Sequence, residues 1–97
     1  MALKVDTARI LGYRVATMLD EGIDCRREAS FSKLYATESA VDVTSNAIQV
    51  HGGYGYTEEY PVERYYRDVR HLTMAEGTTQ VQKLIIGRDI LKISAIR

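Results

Sequence analysis

The sequence is poor in several residue types on which other folds and functions depend. It has one cysteine, Cys25, in 97 residues, so no internal disulfide can form. Its two histidines, His51 and His71, are isolated in sequence and belong to no cluster with metal-ligand spacing; structural or solvent-facing roles are expected for both, and no metal. Thirteen basic residues against thirteen acidic ones leave no net charge and no basic stripe, which excludes the electrostatic footprint of a nucleic-acid or anionic-membrane binder. No apolar run approaches the length of a membrane span, and no basic-then-apolar signal segment opens the chain. A reducing cytoplasm is the expected compartment. What is present is a globular composition, 45% hydrophobic, in a length that allows one domain at most.

Apolar spacing predicts helices throughout. From about Ala2 to Glu21, Ala8, Leu11, Val15 and Met18 recur at three-and-four spacing, and Gly22 is a natural stop. A second helix is predicted from Cys25 or Arg26 to His51, roughly 40 Å long at 1.5 Å per residue. On it Ala29, Ser32, Ala36, Ala40, Val43, Ala47 and Val50 form a seam of mostly small residues, which permits close helix approach. Leu34, Val41 and Ile48 add a second row, so this helix is expected to be central. Gly52-Gly53 end it. Pro61 suits the first turn of a short third helix to about Arg70, with Val62, Tyr65, Tyr66 and Val69 on its apolar face. The fourth helix opens at Thr78 or Thr79 and runs to about Ile93. Val81, Leu84, Ile85, Arg88 and Leu91 lie on one side and Ile86, Ile90 and Ile93 on another; apolar residues on two sides imply burial on two sides. No strand-like alternation or internal repeat is present. The expected fold is all-α, an antiparallel up-down four-helix bundle.

Two connectors carry chemistry. Met74-Ala75-Glu76-Gly77-Thr78-Thr79-Gln80-Val81-Gln82 sets one carboxylate before a glycine and two hydroxyl residues, the composition of a helix N-terminus. Thr79 with Gln82 fits a capping box, which leaves Glu76 and Gly77 on the approach to the helix. Taken alone, Glu76 gains there what any acidic residue gains from the helix dipole, a few tenths of a kcal/mol. A carboxylate on a glycine-hinged turn can also reach into a cleft. Gly52-Gly53-Tyr54-Gly55 is a helix stop by position; phosphate-binding glycine loops follow a strand, and this one follows a long helix. Arg64, Arg67, Asp68 and Arg70 read as an ion-pair patch.

Four ordered motifs are more specific together than apart: Gln49-Val50-His51-Gly52-Gly53-Tyr54-Gly55-Tyr56, Glu59-Tyr60-Pro61-Val62-Glu63-Arg64, Tyr66-Arg67-Asp68-Val69-Arg70 and Glu76-Gly77-Thr78-Thr79-Gln80-Val81-Gln82. With the two long helices before them, they closely resemble the C-terminal domain of acyl-CoA dehydrogenases, over essentially the whole chain. The resemblance implies the last domain, residues 1–97, of an enzyme whose N-terminal helical and middle β domains are not in this sequence. It implies an FAD-dependent oxidoreductase of fatty acid metabolism, a flavoprotein that forms homo-oligomers and passes electrons to an electron-transfer flavoprotein, with an acyl-CoA thioester as substrate.

By the same resemblance Glu76 stands where the family's base removes the α-proton, and its backbone N–H where the family binds the thioester carbonyl. Gly77 stands at a position that lines the acyl-CoA site. Gln49, Gly52 and Gly53 match the element that touches the FAD of a neighbouring subunit, and Thr78 and Gln80 match a second FAD-contacting element. Ala75 departs from the aromatic residue that many members carry before the glutamate, which leaves room beside the acyl chain. Some members take the base from an upstream helix instead; Glu76 argues against that arrangement here. The alternative function is a stand-alone helical assembly or interaction module descended from this domain, without catalysis of its own. An open reading frame continuing upstream of Met1 would favour the enzyme, and a stop codon with a ribosome-binding site the module. Isolated, the chain is expected to be inactive, to bind FAD weakly or not at all, and to self-associate through its second and fourth helices.

Overall fold

The computed structural model describes residues 1–94, which form four helices and, among those residues, no strand. Helix α1 spans Ala2–Asp20, α2 Arg26–His51, α3 Val62–Leu72 and α4 Thr79–Leu91, and a 3-10 turn, Gly52–Tyr56, follows α2. The apolar spacing anticipated all four. Helix α1 stops as expected: the Ile23 N–H donates to the Met18 carbonyl (2.9 Å) and the Gly22 N–H to that of Leu19 (3.1 Å), a Schellman ending. Asp24 accepts from the Arg26 N–H (3.2 Å) at the entry to α2, and the Arg26 guanidinium on the same carboxylate (2.8 Å) holds its pKa below the ordinary value. Two ends differ from the sequence reading. Helix α3 continues two residues past Arg70, to Leu72, with Thr73 as its C-cap. Helix α4 stops at Leu91, where Lys92 turns left-handed (φ 56°), so Ile93 lies beyond it.

Helix α2 is the hub. At 26 residues it is about 39 Å long, and α1, α3, α4 and the 3-10 turn all pack on it. No Cα of α1, α3 or α4 comes within 8 Å of either of the other two helices. The small-residue seam accounts for this: Ser32, Ala36, Ala40, Val43 and Ala47 are half-buried beneath the neighbours, while Ala29 and Val50 at its ends stay exposed. Polar ties fasten α1 and α4 to the hub. Lys4 bonds Asp42, Arg14 lies 3.8 Å from Glu28, and Arg27 bridges Glu28 (2.8 Å) on its own helix and Asp89 (3.4 Å) on α4. Glu28 is only 5% exposed. The Arg27 hydrogen bond, with Arg14 nearby, holds its carboxyl below the usual range, so it stays ionised in this buried position. On α3, Arg67 pairs with Glu63 one turn back (2.8 Å) rather than with the adjacent Asp68, because side chains four apart share a helix face and neighbours in sequence do not.

This arrangement encloses little. Among the described residues two apolar ones, Cys25 (7% exposed) and Val62 (9%), are buried. The accessible surface is 7169 Å², against about 5,600 Å² expected for a folded monomer of this mass. The radius of gyration is 16.0 Å, against about 12.5 Å for a compact chain of this length. The shortest extent of the molecule is 18 Å, about two helix layers. The two-sided apolar character of α4 is explained in part: Ile85 and Ile86 are half-buried, while Leu84, Ile90 and Leu91 lie open, as do Leu3, Ile10 and Leu19 on α1. No helix among the described residues is long and apolar enough to cross a membrane.

Candidate functional site

Between α3 and α4 the chain closes a tight turn, Thr73–Thr79, sealed by the Thr79 N–H on the Thr73 carbonyl (3.0 Å). Glu76 lies at its exposed tip, in left-handed backbone (φ 52°), followed by Gly77 at φ 98°. A residue with a Cβ resists this conformation by about 1–2 kcal/mol, so something must hold it. The ties come from three directions. The Lys33 ammonium of α2 donates to the carbonyls of Gly77 (2.6 Å) and Leu72 (3.3 Å). The Thr79 hydroxyl donates to the Glu38 carboxylate of α2. The Gln82 amide donates weakly to the Gly77 carbonyl (3.4 Å). Thr73, buried beneath the turn, donates to the Arg70 carbonyl (2.9 Å) and accepts from the Arg70 guanidinium. The Glu76 N–H donates to no acceptor among the described residues and remains available at the tip.

The capping box predicted at Thr79 and Gln82 does not form, and the cap lies one residue earlier. Thr78 is the N-cap, its hydroxyl oxygen accepting from the Val81 N–H (3.2 Å), and Thr79 is the first residue of α4. Of two adjacent hydroxyls, the one facing α2 is claimed by Glu38 and the other caps. Gln82 turns back to Gly77 rather than to the cap. That contact also explains Gly77, where a Cβ would stand 2.6 Å from Gln82 Nε2.

The expected cofactor-contacting residues fall into two groups. Thr78 and Gln80 open α4 beside a recess lined by Glu38, Arg70, Thr73 and Met74. Gln49, Gly52 and Gly53 lie at the far end of α2, where Gln49 borders a second recess with Ile48, Tyr56 and Tyr66. Thr79 is bonded to Glu38, and from Glu38 to Gln49 is about 16 Å along the helix. One chain therefore does not bring the two groups to a single pocket. Each alone suits a polar, extended ligand such as FAD. Gln49 and Gln80 are exposed, and the Thr78 hydroxyl can still donate while it caps. An added Cβ at Gly52 or Gly53 would meet nothing within 4 Å, so their backbone is open to close approach.

The third glycine of that loop is different. Gly55 is buried, and a Cβ there would stand 2.6 Å from the Ile48 carbonyl and 3.0 Å from the His51 Cβ. It lets the 3-10 turn fold against the last turn of α2, beside which His51 meets the Tyr60 ring edge-on (centroids 5.9 Å) and Tyr54 meets it at a tilt (5.7 Å). Nothing in the sequence motifs separates Gly55 from its neighbouring glycines, and none of them includes Lys33 or Glu38. Lys33 and Glu38 are two of several charged residues on α2, and nothing local in the sequence sets them apart.

A family profile described as the acyl-CoA dehydrogenase C-terminal domain matches residues 1–91. The chain belongs to this family. It is 47% identical to cyclohexane-1-carbonyl-CoA dehydrogenase of Geobacter metallireducens, over 97% of this chain and 25% of that protein. It is 46% identical to subunit CarC of the caffeyl-CoA reductase–Etf complex of Acetobacterium woodii, over 95% of this chain and 24% of that protein. The structure superposes on butyryl-CoA dehydrogenase of Megasphaera elsdenii with a TM-score of 0.91 at 40% identity, over 94% of this chain and 24% of that one. The chain thus spans about a quarter of the length of the curated relatives it matches. The four-helix architecture expected from the sequence is the one this family shares.

Proposed function

We propose that the chain supplies the proton-exchanging part of an acyl-CoA dehydrogenase site, with Glu76 as the base that takes the α-proton of an acyl-CoA thioester. The observation that carries this reading is the left-handed backbone at Glu76, in a turn tied to α2 by Lys33 and Glu38. Backbone strain retained at an exposed carboxylate is the kind of feature that marks a site rather than a cap.

As the α-proton moves to the Glu76 carboxylate, its electron pair is delocalised onto the thioester carbonyl oxygen. The uncommitted N–H of Glu76 is the donor on this chain for that oxygen. Gly77 lines the same side of the acyl-CoA site, and the small Ala75 leaves space beside the acyl chain. FAD, when bound, accepts the β-hydrogen with its electron pair. Gln49, Gly52 and Gly53 would hold one stretch of it and Thr78 and Gln80 another. Because about 16 Å of α2 separates these groups, the isolated chain should hold FAD weakly or not at all. The exposed apolar faces of α1 and α4 are the surfaces for the rest of the enzyme and for further copies.

The direction of reaction is not set by this domain. Relatives of nearly equal identity include a dehydrogenase and a subunit of a reductase complex. A carboxylate that removes the α-proton in oxidation returns it in reduction, so one Glu76 serves either. The Etf named for the Acetobacterium woodii complex supports an electron-transfer flavoprotein as redox partner; a cytoplasmic location accords with this reading.

The test is Glu76→Gln in the complete enzyme. The amide keeps the shape but cannot accept the proton, so turnover should fall by at least about 10²–10⁴-fold while FAD and acyl-CoA still bind. Anaerobic mixing with acyl-CoA reads the step directly through flavin bleaching. Bleaching at the parent's rate would remove Glu76 from the role.

A further inference from the structure

We propose that Lys33 is a positioning residue for the Glu76 turn, setting the backbone from which Glu76 presents both its carboxylate and its N–H; this rests on the reading of Glu76 as the proton-exchanging group. Lys33 lies in the second turn of α2, the helix on which every other helix packs, and its side chain is half-buried. Its ammonium makes a short bond to the Gly77 carbonyl (2.6 Å) and a longer one to the Leu72 carbonyl (3.3 Å). The first acceptor is the residue after Glu76. The second belongs to the last residue of α3, a carbonyl that has no partner in its own helix. One cation thus spans the turn, tying its end to its beginning.

A cation that merely capped α3 would make its better bond to Leu72. Here the shorter and better bond goes to Gly77, beyond the reach of α3's own capping. Without it the Gly77 carbonyl keeps only the 3.4 Å contact from Gln82. The left-handed backbone of Glu76, which a residue with a Cβ disfavours, is then held only by that contact and by the Thr79–Thr73 bond that closes the turn. The start of α4 is held independently, by the Thr78 cap and by Thr79 on Glu38. Loss of Lys33 should therefore loosen the turn and spare the helices.

The experiment is native-state hydrogen exchange of the protein in its assembled form, parent against Lys33→Met. The reporter is the Thr79 N–H, whose bond to the Thr73 carbonyl closes the turn. It should exchange roughly 10- to 100-fold faster in the variant, as expected for losing bonds to a charged donor, with the amides of central α2 unchanged. An unchanged Thr79 rate, or equal acceleration everywhere, overturns the proposal. Lys33→Arg keeps the charge and the N–H donors, so its Thr79 rate should stay within about threefold of the parent; an Arg variant that opens the turn as far as Met shows that the donors are not what hold it. In the complete enzyme Lys33→Met should lower kcat about 10- to 100-fold, as small misplacements of a catalytic group do, with KM nearly unmoved. An opened turn with unaltered kcat also overturns it. Should Glu76→Gln keep full turnover, the base assignment falls by itself, and the exchange result on Lys33 still stands or fails on its own.

Discussion

The two glycine-bearing connectors are built in opposite ways. The turn at Thr73–Thr79 is held from outside, by Lys33 and Glu38 reaching across from α2. The corner at Gly52–Tyr56 is held from within, by Gly55 pressed onto the last turn of α2 and by the ring contacts of His51, Tyr54 and Tyr60. In the first, strain falls on a residue with a side chain, Glu76. In the second, the positive φ falls on Gly52, where it is tolerated, and Gly52 and Gly53 stay uncovered. A group that must exchange a proton needs its backbone fixed to a fraction of an ångström. A surface that is approached by a ligand needs mainly to be bare. Glycine substitutions separate the two constructions.

The largest expected effect on stability is at Gly55. A methyl there meets backbone, the Ile48 carbonyl, which cannot rotate aside as a side chain can. Gly55→Ala should cost about 1–3 kcal/mol, in the range of overpacked sites, read as a lower urea midpoint. A midpoint equal to the parent's would mean that the corner is not held by this close approach.

Gly77→Ala should cost less in stability and more in function. Its Cβ would meet only the movable end of Gln82, but φ 98° is unfavourable for alanine, by about 1–2 kcal/mol. Relief of that strain would shift Glu76, so turnover of the complete enzyme should fall while unfolding changes modestly. If the two losses scale together in Gly55→Ala and Gly77→Ala, the turn has no special rigidity and the two connectors are held alike.

These two glycines also show what can be read from sequence and what cannot. Helix periodicity and the stop at Gly22 are local signals, and the structure follows them. The partners of the turn are not local: Lys33 and Glu38 bond residues 44 and 41 positions away. Nothing near Thr78 and Thr79 says which of the two hydroxyls α2 will claim, so the cap was misplaced by one. Among Gly52, Gly53 and Gly55, burial alone distinguishes the packed glycine, and burial is decided by how α3 returns along α2. The apolar rows of α1 and α4 were legible as rows, but whether they are covered depends on surfaces outside these four helices.

The smallest effect on folding, and the cleanest probe of the bare corner, is Gly53→Ala. Gly52→Ala would confound the question, since Gly52 has φ 61° and ψ −142°, backbone reserved for glycine. Gly53 has no left-handed φ, and an added methyl meets nothing within 4 Å. Stability should therefore change by less than about 0.5 kcal/mol, as for an ordinary surface substitution. If FAD lies against this backbone in the assembled enzyme, the same methyl occupies the space the ligand needs. The dissociation constant for FAD should then rise about tenfold, a difference of ~1.4 kcal/mol, with the unfolding midpoint unmoved. Titration of the FAD-depleted assembled variant with FAD, followed by flavin fluorescence, gives both the affinity and the stoichiometry. An affinity equal to the parent's would remove Gly53 from the contact and leave Gln49 and Gly52 to carry that end of the cofactor.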